Sequence, residues 1–248
     1  MFKSHPVPMV FAHRGMSAFA PENTLSAFRL AMEAGADGIE LDVQLSSDNE
    51  LIVIHDHSLQ RIAGINKKVD HLSLVEIKSL DAGKWFDPKF TGEKIPTLRE
   101  VFEIANSKLL INVELKGSNL ILVDRLVDLI TNFNNSSQII ISSFNSKMLE
   151  KVRFLLPDIQ IGLLALPNIA GFWHRNITNG FLKPNALHVY YKDVSVKMVK
   201  KAHRSNQTVH AYTVNDRADM EKLFSMKVDM IFTDDPKLGL EVREAYLS

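Results

Sequence analysis

An α/β fold, the eight-stranded parallel (β/α)₈ TIM barrel, is what this sequence predicts, on three observations. Short apolar strands alternate with amphipathic helices along all 248 residues, the pattern of a parallel sheet with helical crossovers. Nine strand candidates reduce to eight once one is recognised as the return arm of a hairpin. Ionisable residues stand at the downstream ends of the strands, where barrels of this kind gather their reactive groups.

The strand candidates are Pro8–His13, Gly38–Leu45, Leu51–His55, Leu109–Leu115, Gln138–Phe144, Gln160–Leu166, Ala186–Tyr191, Thr208–Val214 and Met230–Thr233. Between Leu45 and Leu51 lies only Ser46-Ser47-Asp48-Asn49-Glu50, too short for a parallel crossover, which takes a dozen residues or so. The second and third strands therefore form an antiparallel hairpin. A turn centred near Asp48 puts Asp42 opposite Ile54 and returns His55 to the level of Glu40. The helices show apolar spacing of three and four, as in Leu25, Phe28, Ala31 and Met32. Their starts are marked by Asn23 or Thr24, by the Thr97-x-x-Glu100 capping box, by Asn215 or Asp216, and by Asp235-Pro236. Residues 57–95 break the alternation and read as a small insertion over the barrel mouth. No linker, repeat or low-complexity tract divides the chain, so 1–248 is expected to be one domain.

Composition narrows the function classes. Apolar residues make up 46%, enough for a core, and 29 basic residues balance 29 acidic ones, so nothing marks a nucleic-acid binder. No apolar run approaches the roughly 18 residues of a membrane span, and the first six residues lack the apolar stretch of a secretory signal. Cysteine is absent. The expected setting is the cytoplasm.

The charges at the strand ends suggest a site, because burying an ionisable group costs several kcal/mol unless it is paired or bound to a metal. Glu40 and Asp42 are two apart and share a face of their strand. Glu114 lies inside Leu-Ile-Asn-Val-Glu-Leu, where a solvated face is hard to arrange. Three carboxylates suit a hard divalent cation, Mg²⁺ or Ca²⁺. His13 and His55 end strands that converge on these acids and can serve as an acid/base pair. Arg14, followed by Gly15, and Lys116, on the face of Glu114, suit an anionic phosphate. Glu22 can orient Arg14. Ser143, Phe144, Tyr212, Tyr190 and Tyr191 are candidates for the pocket wall, as are Trp85 and Phe86 of the insertion. Asp234 and Asp235 read mainly as helix caps. The other histidines (His5, His57, His71, His174, His188, His203 and His210) read as surface or core residues.

His13-Arg14-Gly15, Pro21-Glu22-Asn23-Thr24, Glu40-Leu41-Asp42, His55-Asp56, Glu114-Leu115-Lys116 and Phe232-Thr233-Asp234-Asp235-Pro236 together resemble the glycerophosphodiester phosphodiesterase family, in its order and over nearly the whole chain. The resemblance implies a metal-dependent barrel enzyme that takes a small-molecule glycerophosphodiester to glycerol 3-phosphate and an alcohol. Carried over by position, it puts the metal on Glu40, Asp42 and Glu114, acid/base chemistry on His13 and His55, and the phosphate on Arg14 and Lys116. Ile62 and Tyr212 depart from it, standing where many relatives have threonine and tryptophan. Two other readings use the same residues: a lipid phosphodiesterase with an apolar surface around Trp85, Phe86 and Phe172-Trp173, and a non-catalytic glycerophosphate-binding barrel. Oligomeric state is left open.

Overall fold

The computed structural model describes residues 8–105 and 109–248; the expectation for His5 lies outside them. Among the described residues nine strands form one sheet: β1 (Met9–His13), β2 (Gly38–Leu45), β3 (Leu51–Val53), β4 (Leu110–Leu115), β5 (Ile139–Ser143), β6 (Gln160–Ala165), β7 (Ala186–Tyr190), β8 (Thr208–Tyr212) and β9 (Met230–Thr233). Eight pair in parallel around a closed ring, β1-β9-β8-β7-β6-β5-β4-β2, which the β1–β2 ladder seals. The ninth, β3, is the antiparallel arm on β2, in the expected register: Val43 opposes Val53, and Ile54 N–H donates to Asp42 O at 2.9 Å. Several strands stop a residue or two before the apolar run ends, because the chain leaves the ladder to enter the mouth loops.

The side-chain period of two sorts every strand into an inner and an outer face. Val10 and Ala12, Ile39 and Leu41, and Ile111 and Val113 face outward into the main core against the helices. Met9, Phe11, Leu110, Met230 and Phe232 fill the barrel interior. Above them on the same parity come polar residues: His13, Glu40, Asn112, Glu114, Ser142, His188 and Tyr212. The inward stripe is thus apolar at the base and polar at the mouth.

The helices are α1 (Leu25–Glu33), α2 (Gln60–Ala63), α3 (Leu74–Ser79), α4 (Leu98–Ala105), α5 (Ile121–Phe133), α6 (Ser146–Leu155), α7 (Asn179–Leu182), α8 (Val196–Arg204), α9 (Arg217–Ser225) and α10 (Pro236–Leu247). Thr24 caps α1, Asp216 caps α9 and Asp235 caps α10; Thr97 and Glu100 bond reciprocally at the head of α4. The 57–95 insertion contributes only short helices. It builds a satellite core from Leu59, Ile62, Val69, Leu72, Ile77 and Ala82 on the face of the arm that carries Ile52 and Ile54, while Leu51 and Val53 on its other face join the main core.

Two histidines read from sequence as ordinary are buried inside the barrel. His188 Nε2 lies 3.0 Å from His210 Nδ1, and His210 Nε2 lies 2.9 Å from Thr208 Oγ. Burial pushes both below the ordinary imidazole range, His210 to about 3, so they are neutral rings linked donor to acceptor. Gly162 on β6 makes the room: a Cβ there would sit 2.3 Å from His188 Nε2. Gly162→Ala should therefore lower stability by about 1–3 kcal/mol through overpacking. In a double-mutant cycle measured by thermal melting, that loss should shrink when His188→Ala is also present. Additive losses would show that the two positions do not crowd each other.

Candidate active site

The site is assembled at the mouth from four strand ends. At the end of β1 the chain turns sharply, with Arg14 at φ 56° and Gly15 at φ 82°. A Cβ on Gly15 would lie 2.7 Å from Ala27, so the turn can press against α1 only with glycine there. The left-handed turn directs Arg14 N–H onto Glu40 Oε2 at 3.0 Å. His13 Nδ1 is 2.7 Å from Asp234 Oδ1. An ionised carboxylate only accepts, so Nδ1 carries the proton and Nε2 is the free nitrogen. Asp234 is itself held by Ser17 Oγ and Asn215 Nδ2.

Asp42, only 1% exposed, is held from three directions. Asn23 Nδ2 donates to it at 2.9 Å, and Arg14 Nε and Lys116 Nζ each stand 3.3 Å away. Lys116 Nζ also donates to Glu114 Oε1 at 2.7 Å. Carboxylate oxygens of Glu40, Asp42 and Glu114 lie within 4.8 Å of one another.

The arm delivers His55. Gln44 points its amide N–H₂ at the carbonyls of Ile54, His55 and Asp56 (2.9–3.0 Å) and accepts from His57 Nδ1 at 2.7 Å. His55 Nδ1 donates to Asp56 Oδ1 at 2.7 Å, again leaving Nε2 free. Behind this pair a chain of ions runs back to the acids. Arg61 Nε donates to Asp56 at 2.7 Å, Arg61 forks onto Glu22 at 2.8 and 2.9 Å, and Glu22 accepts from Arg14 at 2.9 Å.

A cavity of about 230 Å³ opens over these groups, lined by His13, Arg14, Glu40, His55, Glu114 and Lys116, with Phe144 and Tyr212 on the wall. Glu22 stands behind Arg14 rather than on the cavity. Ser143 faces away, its Oγ donating to Leu115 O; the inward residue is its neighbour Ser142. Ser143 borders instead an open groove of about 680 Å³ that adjoins the cavity at Glu114, Lys116 and Phe144. Trp85 and Phe86 do not line the cavity. Trp85 lies under the Arg61 guanidinium, 5.3 Å from its ring centre, and donates Nε1–H to Ala82 O. Tyr190 and Tyr191 also lie off the cavity wall and pack on each other. Sequence reasoning missed Asn23, Gln44, Asp56, Arg61 and Asp234 as supports of the site, and Asn112, Ser142 and His188 as cavity lining. The inward parity of β4, β5 and β7 was the signal for the last three.

Three acids face two cations here, and the imbalance shifts how readily each holds a proton. Burial, reinforced by Asp42, pushes Glu40 up to about 8. Burial and the same neighbour raise Glu114. Burial alone would raise Asp42 too, but Lys116 and Arg14 hold it below the usual carboxylate range. The imidazoles diverge. Burial opposes the charged form of His13, yet its bond to Asp234 and the charge of Glu40 raise it. Burial lowers His55, assisted by Arg14 and Lys116 against the pull of Asp42. An all-oxygen donor set with surplus negative charge fits a hard divalent cation. The same cavity could hold a phosphate between Arg14 and Lys116, with two imidazoles poised for proton transfer.

The family model for the glycerophosphoryl diester phosphodiesterase family matches residues 13–238. A glycerophosphodiester phosphodiesterase of Caldanaerobacter subterraneus is 40% identical over 233 residues, covering 92% of this chain and 95% of that one. Among solved structures, an Oleispira antarctica phosphodiesterase in complex with the product sn-glycerol-3-phosphate superposes with TM-score 0.88 at 30% identity, over 96% of this chain and 97% of that one. A Thermotoga maritima glycerophosphodiester phosphodiesterase does so with TM-score 0.78 at 30% identity, over 96% and 99%.

The raised Glu40 sets a pH test. Its folded value of about 8 exceeds the ordinary 4.5, so without a cation its contribution to stability is full below pH 4.5 and is lost as pH rises through 8. An incoming divalent cation has to displace that proton. Calorimetry in buffers of different ionisation enthalpy should show proton release on Mg²⁺ or Ca²⁺ binding at pH 7. Apparent affinity should rise by up to about tenfold per pH unit and level off above pH 8. Glu40→Gln should abolish the release; proton-neutral binding by the wild type at pH 7 would contradict the assignment.

Proposed function

The chain belongs to the glycerophosphoryl diester phosphodiesterase family, and from that membership we propose that it hydrolyses glycerophosphodiesters to glycerol 3-phosphate and an alcohol with the help of a divalent cation. The observation that carries this reading is the convergence, on one cavity, of two carboxylate-backed imidazoles and two cations with Glu40 and Glu114, which cluster with the buried Asp42. The like-folded Oleispira protein was captured with sn-glycerol-3-phosphate, the product this reaction would release.

In this reading Glu40, Asp42 and Glu114 hold the cation. When bound, the ion supplies electrostatic stabilisation of the charge that builds on the non-bridging phosphate oxygens. Arg14 and Lys116 take those oxygens from the protein side, and their donors cost no reorganisation because the acids already fix them. The two histidines divide the proton work. His55, whose surroundings favour the neutral ring, takes the proton of the attacking oxygen at Nε2. His13, whose surroundings favour the charged ring, gives a proton from Nε2 to the leaving alkoxide. Asp56 and Asp234 hold the Nδ1 protons and so keep each Nε2 aimed at substrate. Phe144 and Tyr212, packed edge to face at 6.5 Å, present carbon surface to the glycerol skeleton.

Glycerol 3-phosphate release from a panel of glycerophosphodiesters, with and without chelator, tests the proposal. Activity should vanish in excess chelator and return with Mg²⁺ or Ca²⁺. His13→Ala and His55→Ala should each lower turnover by roughly 10²–10⁴. Asp234→Asn and Asp56→Asn, which keep the shape but remove the carboxylate behind each imidazole, should cost about 10–100-fold. Full activity in chelator would remove the cation from the mechanism, and a histidine variant with wild-type turnover would return that residue to packing.

A further inference from the structure

The connection from β6 to β7 carries an unusual surface. Leu166, Ile169, Phe172, Trp173, Ile177 and Phe181 are all exposed, Ile169 and Phe181 by more than four-fifths (88% and 86%). Ile169, Trp173, Ile177 and Phe181 recur every fourth residue of a helical run made of a 3₁₀ turn, a π turn and α7, so they form one outward ridge. The inner side is fastened. Asp193 accepts from Asn168 N–H at 2.6 Å and pairs with Arg175 at 2.8 Å. His174 Nδ1 donates to Leu164 O, and Asn179 exchanges bonds with Gln207. The apolar side chains are therefore held outward on an ordered element. Isolated exposed apolar residues need no explanation, but a contiguous patch of this kind marks an interaction surface.

Charge says what covers it. Residues 166–204 contain seven Lys or Arg and one acid, Asp193, in a chain whose totals balance at 29 and 29. That acid is spent on Arg175. Exposed Lys197, Lys200, Lys201 and Arg204 lie on α8, and Lys201 Nζ reaches Asn176 Oδ1 of the ridge segment at 3.5 Å. Two copies meeting face to face would oppose these cations to one another. Aromatic and aliphatic side chains flanked by a one-sided row of lysines fit the headgroup–acyl boundary of a membrane carrying anionic lipid.

We propose that this face docks the protein on the surface of an anionic phospholipid bilayer, with the Ile169–Phe181 ridge seated among the headgroups and the α8 lysines against the lipid phosphates. No helix among the described residues is long and apolar enough to cross a membrane, so the contact is peripheral. The segment starts at the barrel mouth, where His174 borders the groove that opens onto Lys116 and Glu114. Docking would therefore bring that groove close to the lipid surface.

The probe is co-sedimentation with vesicles of phosphatidylcholine alone or mixed with phosphatidylglycerol. The chain has two tryptophans, so Trp85→Phe leaves Trp173 as a reporter. Binding is expected to the mixed vesicles only, to weaken with added salt, and to shift Trp173 emission to the blue. Phe172→Ser with Phe181→Ser, or Ile169→Asn, should abolish binding while leaving the melting temperature unchanged. Each of Lys197→Gln and Lys200→Gln should weaken it about fivefold. Three outcomes would overturn the proposal: no binding to the mixed vesicles, binding indifferent to these substitutions, or a lipid-free dimer that the same substitutions dissolve. Because the readout is binding, it stands or falls independently of the hydrolytic reaction.

Discussion

The mouth of the barrel is organised around one buried carboxylate, Asp42. A group 1% exposed stays ionised only if its lost hydration is replaced, and here the replacements come from three directions. Arg14 arrives from the end of β1, Lys116 from the end of β4, and Asn23 from the head of α1. Each partner demands a backbone arrangement. Arg14 and Asn23 both take positive φ, 56° in each case, an uncommon conformation for residues other than glycine. Asn23 N–H donates to Arg14 O at 2.9 Å, so the two strained turns brace each other. Removing one partner of such a buried set would leave charge uncompensated, which is why the local strain persists.

From Asp42 the ionic order spreads outward. Arg14 bonds Glu22, Glu22 bonds Arg61, and Arg61 bonds Asp56, which holds His55. The insertion enters this circuit through Arg61, and Trp85 stacks beneath that guanidinium. Its role in the site is thus that of a brace behind His55 more than a cover over the cavity. Arg suits the position because its planar fork satisfies two carboxylates at once while its face packs on the indole. On the opposite side, Asp234 links His13 to Ser17 and Asn215. Both imidazoles are therefore oriented by acids that stand outside the Glu40, Asp42 and Glu114 cluster.

Much of this was legible in the chain. The hairpin register followed from loop length, since five residues cannot make a parallel crossover, and Asp42 does lie against Ile54. The eight-strand count followed from the same subtraction. Glu40, Asp42 and Glu114 could be paired because strand residues two apart share a face, and they converge. Other residues were ambiguous for a physical reason. Asn23 and Asp234 sit where helix caps are expected, and a cap reading accounts for them without reference to anything distant. Thr24 and Asp235 take the caps instead, and the neighbouring residue of each pair is freed for the site. Ser143 reads as a pocket candidate from sequence, whereas the parity of β5 turns its neighbour Ser142 inward.

What the sequence determined by itself was local and periodic: which segments are strands or helices, which strand must double back, and which acids share a face. These depend on backbone sterics and on side-chain periods that neighbours cannot alter. The tertiary structure alone decided which far-separated polar groups meet, as with His13 and Asp234, Glu22 and Arg61, or His188 and His210. Such pairings depend on how closely elements approach, and that is set by packing: Gly15 against Ala27, and Gly162 beneath His188. A residue's chemistry is written in its side chain, but its partner is chosen by the shape of everything else that has to be buried.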